Sequence, residues 1–311
     1  MEFHHISILL KECLEQLAIR PDGVYVDATL GGAGHSGHIL QRLSSEGRLV
    51  CIDKDDMALA HAAEVMPDSR VTLVKSDFRR IEEALAQAGQ TGADGILFDL
   101  GVSSPQLDQA ERGFSYMQDA PLDMRMDQTQ KFSAFDIVNT WPQEQIRDIL
   151  FHYGEEKYAP LIAAAICRRR EQAPIRTTLE LVEIIKDAMP AKALREKQHP
   201  AKRSFQAIRI AVNDELQAVE EAMEASIRCL KPGGRLCVIT FHSLEDRIVK
   251  KAFAQAAKGC TCPKDFPICV CGKKPLVKLI SRKPILPSSE EVESNPRARS
   301  AKLRVCEKLE S

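Results

Sequence analysis

A surplus of charge is the first thing missing: 43 lysines and arginines stand against 44 aspartates and glutamates, a net of −1. That excludes a global basic field drawing nucleic acid, so any polyanion site must come from local clustering. Long apolar runs are missing too. No stretch approaches the ~20 residues that a membrane-spanning helix needs, and no membrane partner is expected. The opening MEFHHISILLKECLEQL lacks the positive leader, apolar run and small-residue cleavage site of an export signal. The expected location is the cytoplasm. No internal repeat is visible. Cysteine is not scarce, with ten in the chain, but 311 residues at 44% hydrophobic can bury a core without disulfide staples. Six of them, scattered in helix- or strand-like segments, read as reduced, buried thiols.

What is present is alternation. Val24–Asp27, Arg48–Asp53, Val71–Lys75 and Gly95–Asp99 are short runs rich in Val, Ile and Leu, each long enough for a buried parallel strand. Helix-like stretches separate them: His35–Leu43, Asp56–Val65 and Arg79–Ala88. This spacing implies right-handed βαβ crossovers and a doubly wound α/β sheet. From Pro105 to about Ile210 the apolar positions fall at helical spacing and no convincing strand appears. The strand–helix rhythm then resumes. Glu215–Leu230 is an amphipathic helix stopped by Lys231-Pro-Gly-Gly. Arg235–Phe241 is a fifth strand, and a helix over Leu244–Ala257 has Ser243 as expected cap and Asp246 as its partner. Leu276–Ile280 and Leu303–Cys306 close the sheet. The expected organisation is one α/β domain, residues 1–106 and 211–311, interrupted by a helical insertion at 107–210.

The first strand runs into Asp27-Ala28-Thr29-Leu30-Gly31-Gly32-Ala33-Gly34-His35, a glycine-rich turn ahead of a helix. Glycines let the backbone approach a ligand, and N–H groups at the helix start face it. Asp53 ends the second strand, where a carboxylate can take both hydroxyls of a ribose. Gly32-x-Gly34-x-x-Gly37 also satisfies the dinucleotide fingerprint. Against that, Asp27 precedes the glycines, where it can meet the ammonium group of a methionine moiety. The segment therefore admits a methyl-donor site, an NAD site or a plain structural turn. Asp77 and Phe78 follow the third strand on the same carboxyl edge. They are candidates for an adenine amine and its ring, with helix capping an equal alternative for Asp77.

The fourth strand ends in DLGVSSPQLD, followed by ERGFSY and PLDMRM; further blocks are HPAKRSFQAIRIAVNDEL, KPGGRL, FHSLEDRIVK and NPRARSAKLRV. Together they resemble the RsmH (MraW) family of ribosomal small-subunit RNA cytosine-N4 methyltransferases, over essentially the whole chain. The resemblance implies a Rossmann-like class I methyltransferase sheet and S-adenosylmethionine as donor. It implies a cytidine in the decoding region of 16S ribosomal RNA as substrate, within the small subunit. The donor pocket would involve Ala33, Gly34, His35, Asp53, Phe78, Asp99 and Gln106; Gln106 rests on the resemblance alone. Gly32 and Asp27 join them from the turn itself.

Cytosine N4 is a poor nucleophile, because its lone pair is delocalised into the ring. Acceptors on its N–H bonds would make the nitrogen more pyramidal and later take the proton. Many exocyclic-amine methyltransferases place an (Asp/Asn/Ser)-Pro-Pro-aromatic turn here; this chain has Asp99-Leu-Gly-Val, with Ser-Ser-Pro only later. Asp99 is the first-choice acceptor, with Ser103 nearby and His242, at the end of the fifth strand, the alternative. The stacking aromatic must come from elsewhere.

Basic residues cluster locally. Arg168–Arg170 reads as a solvated face, while Lys202, Arg203 and Arg209 are candidate phosphate contacts. Arg297 and Arg299 lie in what looks like a flexible basic loop. Cys260, Cys262, Cys269 and Cys271 form C-x-C pairs six residues apart. Such a set could hold tetrahedral zinc, but reduced or redox-sensitive thiols are the preferred reading and no metal is expected. A homodimer stays open, as do two other functions: an NAD-dependent oxidoreductase, and a non-catalytic ribosome-binding module on a methyltransferase fold.

Overall fold

Seven apolar segments pair into one sheet in the computed structural model, which describes residues 7–260, 262 and 271–310. They are β1 (Val24–Asp27), β2 (Arg48–Asp53), β3 (Val71–Lys75), β4 (Ala93–Asp99), β5 (Leu230–Thr240), β6 (Val277–Leu279) and β7 (Lys302–Lys308). The order is β3-β2-β1-β4-β5-β7-β6. Strands β1 to β5 run parallel, whereas β7 is antiparallel to both β5 and β6. An α/β sheet of this order, with its antiparallel β7, is the class I methyltransferase arrangement.

Successive side chains leave a strand on opposite faces, and here both faces are covered. Val24, Val26, Val50, Ile52, Ile96, Phe98, Leu236 and Val238 enter one core. Tyr25, Leu49, Cys51, Leu97, Cys237 and Ile239 enter the other. Double burial is why these strands read as continuous apolar runs rather than alternating ones.

The chain divides into two units, residues 1–101 with 216–311 and residues 102–215. The second begins earlier and ends later than the expected 107–210, because Val102 and Leu107 already pack on the helical core. At its other end, Asn213 is hydrogen-bonded to Met124 and Met126. Five helices build that core: Ala134–Thr140, Gln143–Gly154, Ala159–Arg170, Thr178–Ala188 and Lys202–Asn213. Two open with reciprocal caps, Ser133 with Asp136 and Thr177 with Glu180. A Cβ on Gly154 would lie 2.6 Å from the Arg203 carbonyl, so glycine lets helices 143–154 and 202–213 approach closely. Among the described residues, no helix is long and apolar enough to cross a membrane.

Candidate active site

Strands β2, β1 and β4 are neighbours and parallel, so their carboxyl ends share one edge. Each ends in an aspartate: Asp53, Asp27 and Asp99. Burial pushes all three carboxyls up, Asp27 to about 6 and Asp99 to about 8, with Asp53 raised as well. Repulsion from Asp27 and Glu245 adds to the shift at Asp99.

The three differ in what they hold. Asp53 accepts the N–H groups of Gly31 and Asp55, both at 2.9 Å, one on each oxygen. It thereby braces the glycine turn while keeping lone pairs for ribose hydroxyls. Asp27 turns inward, contrary to its expected place against a ligand ammonium. Only 1% exposed, it accepts the Ser36 hydroxyl at 2.6 Å and the Thr29 N–H at 3.2 Å. Burying a carboxylate without such donors would be costly, and these donors lie on the turn's own limbs. Asp99 is the exception. Its N–H is fixed by the Thr29 hydroxyl oxygen at 2.6 Å, but its buried Oδ1 has no hydrogen-bond partner.

His35 stands beside it, Nδ1 at 3.7 Å from Asp99 Oδ2, while Nε2 lies 3.0 Å from the Ile8 carbonyl. A carbonyl only accepts, so Nε2 carries a proton and Nδ1 is the ring atom that faces Asp99.

The turn itself is tight. Gly31 and Ala33 take positive φ of 49° and 61°, and helix Gly34–Leu40 follows at once. Two observations set this crevice against a dinucleotide. A Cβ on Gly37 would meet nothing within 4 Å, whereas the third fingerprint glycine is needed for close helix–strand packing. Moreover, among the described residues no lysine or arginine pairs with Asp27, Asp53 or Asp99; the sole ion-pair contact is His35 with Asp99. Strand-end acidic groups with no ion-paired lysine or arginine are poor partners for a pyrophosphate and favour a positively charged ligand. Such acceptors fit a ligand that carries a cationic sulfonium.

After β3, Asp77 caps the short 3₁₀ turn Phe78–Arg80, accepting the Arg79 N–H at 3.0 Å, which is the structural alternative for that residue. Phe78 is half-buried, edge-on to Phe98 with ring centres 5.6 Å apart. On the β5 side, His242 rather than Ser243 caps helix Ser243–Ala257. Its Nδ1 faces the Glu245 N–H at 3.5 Å, and the Glu245 carboxylate accepts the N–H groups of Phe241 and His242 at 2.9 and 3.3 Å. Asp246, the expected cap partner, is drawn instead to Arg304 at 2.6 Å. Phe241 lies next to Gly101, on whose Cβ position its ring edge closes to 3.6 Å. It is half-exposed, an aromatic ring beside the fourth-strand turn that itself has none. Thr29, Ser36 and Glu245 were not singled out in the sequence; only the His242–Glu245 spacing, that of a capping box, signals one of them.

Ser103 and Gln106 belong to the second unit, where they form a reciprocal cap on helix Ser104–Asp108. The Ser103 hydroxyl is thus engaged at a helix start, not offered as an acceptor like Asp99. A groove of about 650 Å³ in the same unit is lined by Asp119, Asp123, Arg125, Lys131 and Arg176, among others. Arg125 is neutralised there by Asp123 at 2.6 Å.

Of the expected phosphate contacts, Lys202, Arg297 and Arg299 are exposed and Arg203 is half-exposed. Arg209 is different: both its guanidinium contacts to Glu215 are 2.8 Å, so it serves as a structural ion pair. Arg297 and Arg299 sit on a 3₁₀ helix, Pro296–Ser300, capped by Asn295 and anchored by buried Ala298, not on a flexible loop. Arg170 is likewise structural, donating to the Val138 and Trp141 carbonyls at 2.9 and 2.7 Å. Of the cysteine set, Cys260, Cys262 and Cys271 come together, while Cys269 lies outside the described residues.

Comparison with known proteins matches the chain to a family. The model of the MraW methylase family covers residues 2–309. The ribosomal RNA small subunit methyltransferase H of Brevibacillus brevis is 59% identical, spanning 99% of each chain. That of Clostridioides difficile is 55% identical, over 99% of this chain and all of its own. Among solved structures, an rRNA methylase from Streptococcus thermophilus aligns at 11% identity and a TM-score of 0.42, covering 97% of this chain and 94% of its own. Matched along nearly its whole length, the chain belongs to the MraW methylase family.

Proposed function

We propose that the protein methylates the exocyclic N4 amine of a cytidine in the decoding region of 16S ribosomal RNA, using S-adenosylmethionine, in the cytoplasm. The observation that carries this reading is Asp99, whose buried Oδ1 has no hydrogen-bond partner and which, among the described residues, pairs with no lysine or arginine. The names of the relatives supply the ribosomal RNA. When bound, the donor supplies an electrophilic methyl group on a cationic sulfur. Asp53 takes its ribose hydroxyls, Phe78 packs on its adenine, and the backbone from Gly32 to His35 encloses its chain. Gln106 joins this set on the family resemblance.

The protein's own chemistry concerns the amine. Asp99, held protonated up to about pH 8 when no cation is near, ionises beside positive charge. It then accepts an N4–H, which localises the nitrogen lone pair. Once N4 carries the methyl group released from the donor sulfur, which keeps the bonding pair, N4 must shed one proton; Asp99 would take it and pass it to solvent. Phe241 stacks on the cytosine, which must first leave its own stack. Residues 102–215 recognise the RNA, and Lys202, Arg203, Arg297 and Arg299 contact phosphates.

The test uses methyl-labelled donor and small-subunit RNA from cells lacking the modification. A nucleoside digest is expected to put the label in N4-methylcytidine. Label in another methylcytidine, or none with either naked RNA or assembled subunits, overturns the reading.

A further inference from the structure

Four of the buried cysteines are inert by environment. Cys13, Cys51, Cys237 and Cys306 lie in the apolar cores, and burial pushes their thiols well up, Cys306 to about 12. Cys260, Cys262 and Cys271 differ in kind. They sit at the surface, on the connection between helix Ser243–Ala257 and β6. The Leu276 N–H donates to the Ala256 carbonyl at 2.8 Å, so the two limbs of this connection meet at its neck. A Cβ on Gly259 would lie 2.9 Å from the Pro275 ring, keeping the limbs in contact just before Cys260.

The three sulfurs all lie within 4.8 Å of one another, and Cys260 and Cys271 stand 3.7 Å apart. A disulfide needs about 2.05 Å, far shorter. Two thiolates on a tetrahedral zinc, each at about 2.3 Å from the metal, are separated by about 3.8 Å. The Cys260–Cys271 distance, across which the Cys271 S–H donates to the Cys260 sulfur, is also close to a tetrahedron's edge. The Cys262 N–H also donates to the Cys260 sulfur at 3.3 Å.

We propose that Cys260, Cys262 and Cys271 form a zinc site that clips the connection between helix Ser243–Ala257 and β6. Soft thiolates select zinc over magnesium, calcium or manganese. Three protein sulfurs define one face of the tetrahedron, and a further donor takes the fourth vertex. Binding replaces the thiol protons by metal, so up to three protons are released per ion and affinity falls in acid. The clip is local, since the sheet cores need no contribution from it.

The experiment is elemental analysis of the untagged full-length protein, purified without chelator from zinc-replete cells. About one zinc per chain is expected, falling below about 0.2 in Cys260→Ser and in Cys271→Ser and unchanged in Cys167→Ser. Because a serine variant can misfold, circular dichroism accompanies each one. Cobalt reconstitution of the metal-stripped wild type supplies an independent readout, thiolate-to-cobalt charge-transfer absorption that the variants lack. Three outcomes overturn the proposal: wild-type protein that neither carries zinc nor shows that absorption; zinc retained in a folded Cys260→Ser, Cys262→Ser, Cys271→Ser triple variant; or a Cys260–Cys271 disulfide in peptides from protein kept under reducing cytosolic conditions.

Discussion

Asn213, Asn139 and Thr178 within residues 102–215 and Asp99 at a strand end of the other unit are handled in opposite ways. In the helical unit they hold backbone. Asn213 accepts the Met126 N–H at 2.8 Å and donates to the Met124 and Arg209 carbonyls at 2.8 and 2.9 Å. Asn139 does the same with Ile175 and Phe135, and Thr178 ties Gln118 to Ala120. At the ends of β1, β2 and β4, three carboxylates crowd one edge with their affinity for protons raised. The first pattern stabilises a fold. The second costs stability until a cationic ligand arrives, and a buried polar group kept at such a cost marks the site.

Asp99 tests that contrast most severely. Asp99→Asn keeps the volume and removes the charge, so methyl transfer is expected to fall by roughly 10²–10⁴-fold. The fold should not suffer. Between an ordinary carboxyl value of 3.8 and about 8, the folded chain keeps a proton that the unfolded chain has released. Wild-type stability is therefore lost as pH rises through that window, and the neutral variant should show a flatter profile. Denaturant midpoints at several pH values measure this. Identical slopes in the two proteins would mean that Asp99 titrates normally and the electrostatic contrast fails.

Asn213→Ala probes the other side. Removing its amide strands the Met126 N–H and two carbonyls, and a loss of about 2–4 kcal/mol is expected. Hydrogen exchange should report it as earlier opening around residues 112–126, with amides of β1, β2 and β4 unaffected. A loss under about 0.5 kcal/mol would show that water replaces the side chain at no cost, and the distinction between the units would weaken.

Much of this was legible in the chain itself, for physical reasons. Runs such as RLVCID and GILFD announce strands buried on both faces, and their terminal aspartates fall on one edge as soon as the strands are parallel. What each aspartate does was not legible. Asp27 is consumed by Ser36, two residues past Gly34 in the first turn of the helix, and only the folded turn brings the two within 2.6 Å. Arg209 reads as a free cation until the left-handed Asp214, φ 50°, turns Glu215 back onto it. Local patterns fix which faces are buried. Pairings across a turn or a sheet depend on closure, which a linear reading underdetermines.

The β5 edge gives the smallest effect and the finest test. Ser243 and Asp246 have the composition of a cap pair, yet His242 and Glu245 form it, because Arg304 on the neighbouring β7 captures Asp246. His242 is thus committed to a helix start although it lies on the same edge as Asp99. His242→Ala should cost about 1 kcal/mol of stability and His242→Asn, a better capping side chain, should recover most of it. Thermal unfolding of the two variants separates the contributions. If asparagine recovers nothing, the ring's packing rather than its nitrogen holds the helix, and this position would join the strand-end aspartates as one whose chemistry its local geometry does not explain.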